Sequence, residues 1–497
     1  MTRPLPSAAW FLLAALTHGS SARSQQTLPV APADPAIASA IAGISPRRIH
    51  DDIAKLVSFG NRSTLSSMDT DLPPGTGVTA AADWIFAEFT RISAECGNCM
   101  EVRRDDEIEP GTPKTRILKD TRLQNIYAVL KGMDPAQVNR RVLVTGHYDS
   151  RNSDNFNTHD PAPGANDDAS GVAVSLESAR VLSRLKFPAT IVFVAVAGEE
   201  QGLNGSRHLA KLARAEGWDL EAVLNDDIVG GDTTPGQTGQ DKSAVRVFSE
   251  GVPAPTTPDQ LRMIQTLGAE SDSPSRELAR AILDVSHSYF HATEERPAPV
   301  AGGHARSQMI RLVPAFHPVL IFRRDRFLRG GDHTSFNAEG FAAVRFTEWQ
   351  ENFDHQHQTP RLEAGTLQNG TTGQIQYGDF LQYVDFEYVA NVARLNAACL
   401  ATFAAAPGEP AEVHILTKAL DNNTELSWRP PAGAPAGTTY EVVWRATDAP
   451  TWTNLQSAGA ALEIKLPISK DNVVFGLRSS DAAGHKSPAV YPMPQNR

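Results

Sequence analysis

Between residues 78 and 95, apolar side chains recur at helical spacing, with Ala82, Ile85, Phe86, Phe89 and Ile92 on one side, which predicts an amphipathic helix. Residues 123–130 read as a strand. From residue 142 the pattern alternates: a short buried strand (142–145), a helix (169–185), an apolar strand (190–196), a helix (206–215) and another strand (222–224). That order predicts an α/β domain, with a mixed, largely parallel central sheet flanked by helices. In such sheets, functional residues gather just past the carboxyl ends of the strands. Residues 232–329 keep no clear period: a Pro-, Ser- and Gly-rich patch (251–275) precedes a helix (276–289) and an insertion-like stretch (296–306). A strand at 342–346 and a helix at 383–403 complete the domain. Beyond a Pro- and Ala-rich stretch at 404–410, short alternating strands at 426–428, 440–444, 462–466 and 473–477 predict a small all-β sandwich.

At 497 residues, the chain is too long for a single growing core, in keeping with one large and one small domain. With 41% hydrophobic and 21% charged residues and a net charge of −11, it reads as a soluble globular protein that does not bind nucleic acid. The N-terminus runs from Arg3 through apolar residues 8–16 to Ser20, Ser21 and Ala22, the order of a secretory signal peptide. Cleavage is expected near Ala22, making the protein secreted or periplasmic. No apolar run approaches the roughly 20 residues that span a bilayer. The expected division is a signal peptide (1–24), a linker (25–40), the main domain (41–404), a second linker (405–411) and the sandwich (412–497). Cys96 and Cys99 can close a small disulfide outside the cytoplasm, while Cys399 has no obvious mate.

Five segments carry ligand-type residues at strand ends or helix starts. They are Gly146-His147-Tyr148-Asp149, Gly164-Ala165-Asn166-Asp167-Asp168-Ala169-Ser170-Gly171, Gly198-Glu199-Glu200, Asn225-Asp226-Asp227 and Gly330-Gly331-Asp332-His333. Asp149, two residues beyond His147, can orient its ring from the side away from a metal. Two imidazoles and three or more carboxylates suit two divalent ions bridged by a carboxylate, and zinc fits that donor set best. An unligated Glu then remains to shuttle a proton.

Together with Gly202, Gly205-Ser206 and Gly230, these motifs resemble, in order, those of the M28 family of zinc aminopeptidases, over roughly residues 40–404. The resemblance implies two zinc ions per chain bridged by Asp167, with His147 and Asp227 on one and Glu200 and His333 on the other. It also implies Glu199 as general base, Asp149 and Asp332 behind the ligands, and a cis bond after Asp167. Glu348, His355 and His357 fall where related enzymes contact substrate. Asp168 and Asp226 are expected behind the ligands or facing solvent. The expected activity is hydrolysis of N-terminal residues from peptides or proteins. A glutaminyl cyclase-like zinc acyltransferase and a non-catalytic peptidase-like binding protein are the competing readings. The C-terminal segment is similar to a fibronectin type III module through Leu426-Ser427-Trp428, Tyr440-Glu441-Val442-Val443-Trp444 and the segment from Phe475 to Asp481.

Overall fold

A computed structural model describes residues 28–295, 311–367 and 370–496. The expected signal peptide with its cleavage point, and the insertion-like stretch 296–306, lie outside the described residues. The expected linker does not run to residue 40: helix α1 (Pro35–Ala42) already begins there. Asp34 caps it, accepting from the amides of Ala36 and Ile37, and Pro35 occupies the first turn, where its missing N–H costs nothing. Eight residues are too few to show a helical period amid Pro and Ala. Helices α2 (Pro46–Val57) and α3 (Gly77–Glu95) follow.

Strands β1 (Glu101–Glu109), β2 (Thr121–Leu130), β3 (Arg140–His147), β4 (Thr190–Val196), β5 (Asp219–Asp226) and β6 (Ala244–Ser249) alternate in part with α4 (Ala169–Leu182) and α5 (Asn204–Ala215). Next come α6 (Pro258–Leu267), α7 (Pro274–Tyr289) and the short hairpin β7 (Ala292–Glu295) and β8 (Arg311–Pro314). Strand β9 (His317–Ile321), α8 (His333–Ala338), β10 (Ala343–Glu348), the hairpin β11 (Arg361–Thr366) and β12 (Thr372–Tyr377), and α9 (Phe386–Ala405) complete the domain. Its eight-stranded sheet has the order β1-β2-β4-β3-β5-β10-β6-β9. The centre β4-β3-β5-β10 is parallel, and β1, β2 and β6 join antiparallel. The expected fold class is therefore present.

Alternate residues of the central strands feed opposite faces. Val142 and Val144 of β3, with Ile191, Phe193 and Ala195 of β4, pack in the core under α2, α3, α4 and α9. Leu143, Val192, Val194 and Val196 face α5 and Phe336. Burial on both faces is why these strands read as unbroken apolar runs. By contrast, β1 hides its identity: it is an edge strand of sequence EVRRDDEIE, nowhere fully buried, paired from Glu101↔Val129 to Glu109↔Thr121. The Pro-rich patch also holds α6, whose Pro258 starts the helix and whose cap pairs Thr257 with Gln260.

Strands β13 (Ala411–Leu416), β14 (Thr424–Arg429), β15 (Thr439–Ala446), β16 (Asn454–Gly459), β17 (Glu463–Leu466), β18 (Val473–Ser480) and β19 (Met493–Gln495) make two sheets, β17-β14-β13-β19 and β16-β15-β18. Both contribute to one core, including Leu426, Trp428, Tyr440 and Leu477. This small domain docks on α7 through Arg478 to Asp284 (2.8 Å) and Trp452 Nε1 to Glu277 (3.1 Å), and beside α7 through Arg445 to Asp272 (2.6 Å). Cys96 and Cys99 are disulfide-bonded, and Cys399 is buried and free. Among the described residues no helix is long and apolar enough to cross a membrane.

Candidate metal centre

Parallel neighbours in a sheet end on the same side, so the order β4-β3-β5 brings three loops together. His147 closes β3, Glu199 and Glu200 follow β4 through Gly198 (φ +69°), and Asp227 follows β5. Asp167 stands just before α4. The first turn of that helix lies tight against β3: a Cβ on Gly146 would strike the backbone of Gly171 and Val172, and one on Gly171 the carbonyl of Asp226. Only glycine permits this approach.

The Asp167–Asp168 peptide bond is cis. Asp168 accepts hydrogen bonds from the amides of His147 (3.0 Å), Gly171 (3.0 Å) and Ile228 (3.3 Å), stapling three site segments together. The Asp167 loop is held from outside the motif. Asp379 accepts from the amides of Asn166 (2.9 Å) and Asp167 (2.7 Å), and the buried Arg62 donates to the carbonyls of Pro163 (2.6 Å) and Gly164 (2.8 Å).

Among the described residues, two groups can hold a metal ion: His147, Asp167 and Asp227, and Asp167, Glu200 and His357, each with ligand atoms within 4.8 Å of one another. Asp167 belongs to both. Its Oδ1 lies 3.2 Å from His147 Nε2, and its Oδ2 lies 2.9 Å from His357 Nε2, which is 3.1 Å from Glu200 Oε1. Yet His147 Nε2, Asp167 Oδ2, Glu200 Oε1 and Asp227 Oδ2 are buried without a hydrogen-bond partner. Buried polar atoms are rarely left so. Atoms that converge to ion-pair distance without meeting hydrogen-bond geometry fit a common cation between them, so the residues present suit the expected metal.

The expected ligand His333 is not in either group. It begins α8, fully buried, with Nε2 donating to the Arg324 carbonyl at 2.8 Å and lying 3.6 Å from the Asp325 carboxylate. Burial, only partly opposed by Asp325, lowers its pKa to about 4, so the ring is neutral. Its Nδ1 is buried without a hydrogen-bond partner, but the ring lies outside both ligand groups. His357, expected only as a substrate contact, holds that position from a backbone at φ +59°. The other two expected substrate contacts are also occupied elsewhere. Glu348 is fully buried and accepts from Asn166 Nδ2 (3.1 Å) and the Asp232 amide (2.9 Å). His355 stacks on Tyr383 (4.1 Å between ring centres) and faces Asp232 at 3.3 Å. Asp168 and Asp226 are buried, not solvent-facing. Asp332 is buried too, and burial lifts it to about 7.

Asp149 supports two elements at once. Its carbonyl accepts from His147 Nδ1 (3.1 Å), and its carboxylate accepts from the amides of Glu199 and Glu200 (3.2 Å each). Sequence reading missed two arginines here. Arg151 donates to Glu200 Oε2 (2.9 Å) and lies 2.5 Å from His357 Nδ1, while the buried Arg345 pairs with Asp227 Oδ1 at 2.8 Å. An arginine in a strand or loop has no signature until its neighbours are known.

Burial pushes Glu199 well above the usual carboxylate range, against the pull of His147 and with added push from Asp227 and Glu200. Burial would also raise Asp167, but His357 and His147 hold it well below that range. For His357, Glu200 and Asp167 overcome burial and lift the imidazole to about 10. These opposed shifts express one fact: converging buried carboxylates demand positive charge, from protons or from a metal. Above the cluster lies a cleft of about 570 Å³, lined by Asp167, Glu199, Glu200, Asp227 and His357, among others.

Residues 125–281 match peptidase family M28. A probable zinc metalloprotease of Leptosphaeria maculans is 41% identical over 452 residues, covering 91% of this chain and 95% of that protein. One from Pyricularia oryzae is 42% identical, covering 93% and 85%. Among solved structures, the LapA aminopeptidase of Legionella pneumophila superposes with a TM-score of 0.48 at 19% identity, covering 76% of this chain and 78% of that one.

Proposed function

The chain belongs to peptidase family M28, among zinc metalloproteases, and from that premise we propose that it is a two-zinc aminopeptidase acting on peptide N-termini. The observation that carries this reading is Asp167, which turns one carboxylate oxygen toward His147 and the other toward His357. His147 and Asp227 would hold one ion, Glu200 and His357 the other, and Asp167 would bridge them. Bound there, the ions would supply positive charge that polarises a scissile carbonyl and acidifies water. Glu199 lies in the cleft outside both ligand groups, with its backbone fixed by Asp149. It takes a proton from the attacking water and returns it to the departing amine nitrogen. Arg151 and Arg345 hold Glu200 and Asp227 in orientation. A cleft of about 570 Å³ suits a few residues of a chain end. Secretion is supported by the order of the N-terminal residues and by the Cys96–Cys99 disulfide. A fibronectin type III-like nature for the C-terminal sandwich is supported by its two sheets and shared core.

The test is zinc content of the purified chain, with release of a free amino acid from an unblocked peptide and from its N-acetylated copy. Two zincs and cleavage of the unblocked peptide alone are expected. Cleavage of both would make it another kind of peptidase, and ring closure of an N-terminal Gln without hydrolysis would make it a cyclase.

A further inference from the structure

The cleft above the metal cluster is rimmed by guanidinium groups, although the chain as a whole carries a net charge of −11. Arg116, Arg151, Arg207, Arg326 and Arg329 all line it. Two of them are spent on carboxylates: Arg151 on Glu200, and Arg326 on Asp325 (3.2 Å) and Glu351 (2.7 Å). The other three are exposed and, among the described residues, nearly free of counter-charge. Arg116 donates to the Glu200 carbonyl at 2.8 Å, and Arg207 to the Gly202 carbonyl and to Asn204 Oδ1. Among the described residues, the one carboxylate near Arg329 is Glu351, at 3.9 Å. Apart from the carboxylates of the metal cluster and Glu199, Glu109 is the one acidic residue lining the cleft among the described residues.

Carbonyl and amide partners orient a guanidinium without neutralising it, and a planar fork with spare N–H groups suits a carboxylate. Three such forks around one mouth create a field favouring an anionic occupant. We propose that Arg116, Arg207 and Arg329 select peptides presenting a carboxylate close to their N-terminus, either an acidic side chain or the C-terminal group of a very short peptide. This rests on the aminopeptidase reading and adds the substrate class to it. The exposed Leu328 (92% exposed, φ +58°), beside Arg329 on the same rim, adds an apolar contact for the neighbouring part of the peptide.

The experiment uses the zinc-loaded full chain and matched C-terminally amidated tetrapeptides with Glu or Gln at position 1, 2 or 3. A free-acid and amidated pair of Leu-Ala-Ala forms a second arm. A preference in kcat/KM of roughly five- to tenfold or more for the carboxylate is expected at low ionic strength, shrinking with added salt. The arm that shows it identifies the source of the carboxylate. In R207A/R329A the acid-to-neutral ratio should fall by a similar factor. Equal rates for acidic and neutral peptides, or a ratio unchanged in the double variant, would overturn the proposal while leaving the aminopeptidase reading intact. Should no unblocked peptide turn over, the aminopeptidase reading fails. Calorimetric binding of the same peptides to wild type and R207A/R329A then decides carboxylate selection separately.

Discussion

The two histidines that competed for one ligand position separate cleanly by substitution. His357→Ala removes a donor that approaches Glu200 Oε1 and Asp167 Oδ2 at 3.1 and 2.9 Å. Loss of a partner that merely orients a ligand lowers metal affinity about 10- to 100-fold, so loss of the ligand itself should exceed about 100-fold. After dialysis the variant should retain no more than one zinc per chain. His333→Ala removes a fully buried ring and its 2.8 Å hydrogen bond to the Arg324 carbonyl. A cavity plus an orphaned buried acceptor costs roughly 2–4 kcal/mol, several degrees in Tm, with the zinc content unchanged. Metal content by mass spectrometry and thermal unfolding, each with and without chelator, read the two effects separately. The destabilisation by His333→Ala should persist in chelator, because it does not pass through the metal. If His333→Ala stripped the zinc and His357→Ala kept it, the assignment of the centre would be wrong.

Glu199→Gln should retain zinc while kcat falls about 10²- to 10⁴-fold, and loss of zinc in that variant would move Glu199 into the ligand set. His333 also makes stability sensitive to acid. Its pKa drops on folding from 6.5 to about 4, so its contribution is complete above about 6.5 and is lost as pH falls through about 4. The span corresponds to as much as about 3 kcal/mol, so His333→Gln should flatten the decline in Tm between pH 7 and 4.5, and parallel declines would refute this. Trp452→Ala should destabilise the docking of the sandwich by about 3–5 kcal/mol, since the indole is buried and donates to Glu277 at 3.1 Å. Unfolding should then split into two transitions, and a single unchanged transition would count against an energetic role for that contact.

Much of the molecule was legible because its determinants are local. Strands β3, β4 and β5 are buried on both faces and announce themselves as apolar runs, and the residues that follow them reach the same end of the sheet whatever the loops do. That His147, Glu199, Glu200 and Asp227 gather at one end of the sheet could therefore be read from order alone, and the tight turn carrying Asp167 from the small residues around it. Strand β1 escaped because an exposed edge needs no apolar alternation, and α1 and α6 because prolines that start helices look like breaks.

Only the tertiary structure chose between His333 and His357. Each directly follows or lies near an acidic residue, Asp332 for His333 and Asp354 for His357, and nothing in the local pattern tells which ring comes within 3 Å of Asp167. The fold decides it by turning His333 toward the Arg324 carbonyl at the start of α8 and bringing the 355–357 loop over the cluster. The same holds for Arg62, Arg151, Arg345 and Asp379, which fix the site from segments far apart in the chain. Local sequence determines which side chains a strand end presents. Which distant group neutralises them depends on a convergence of loops that exists only once the sheet has formed.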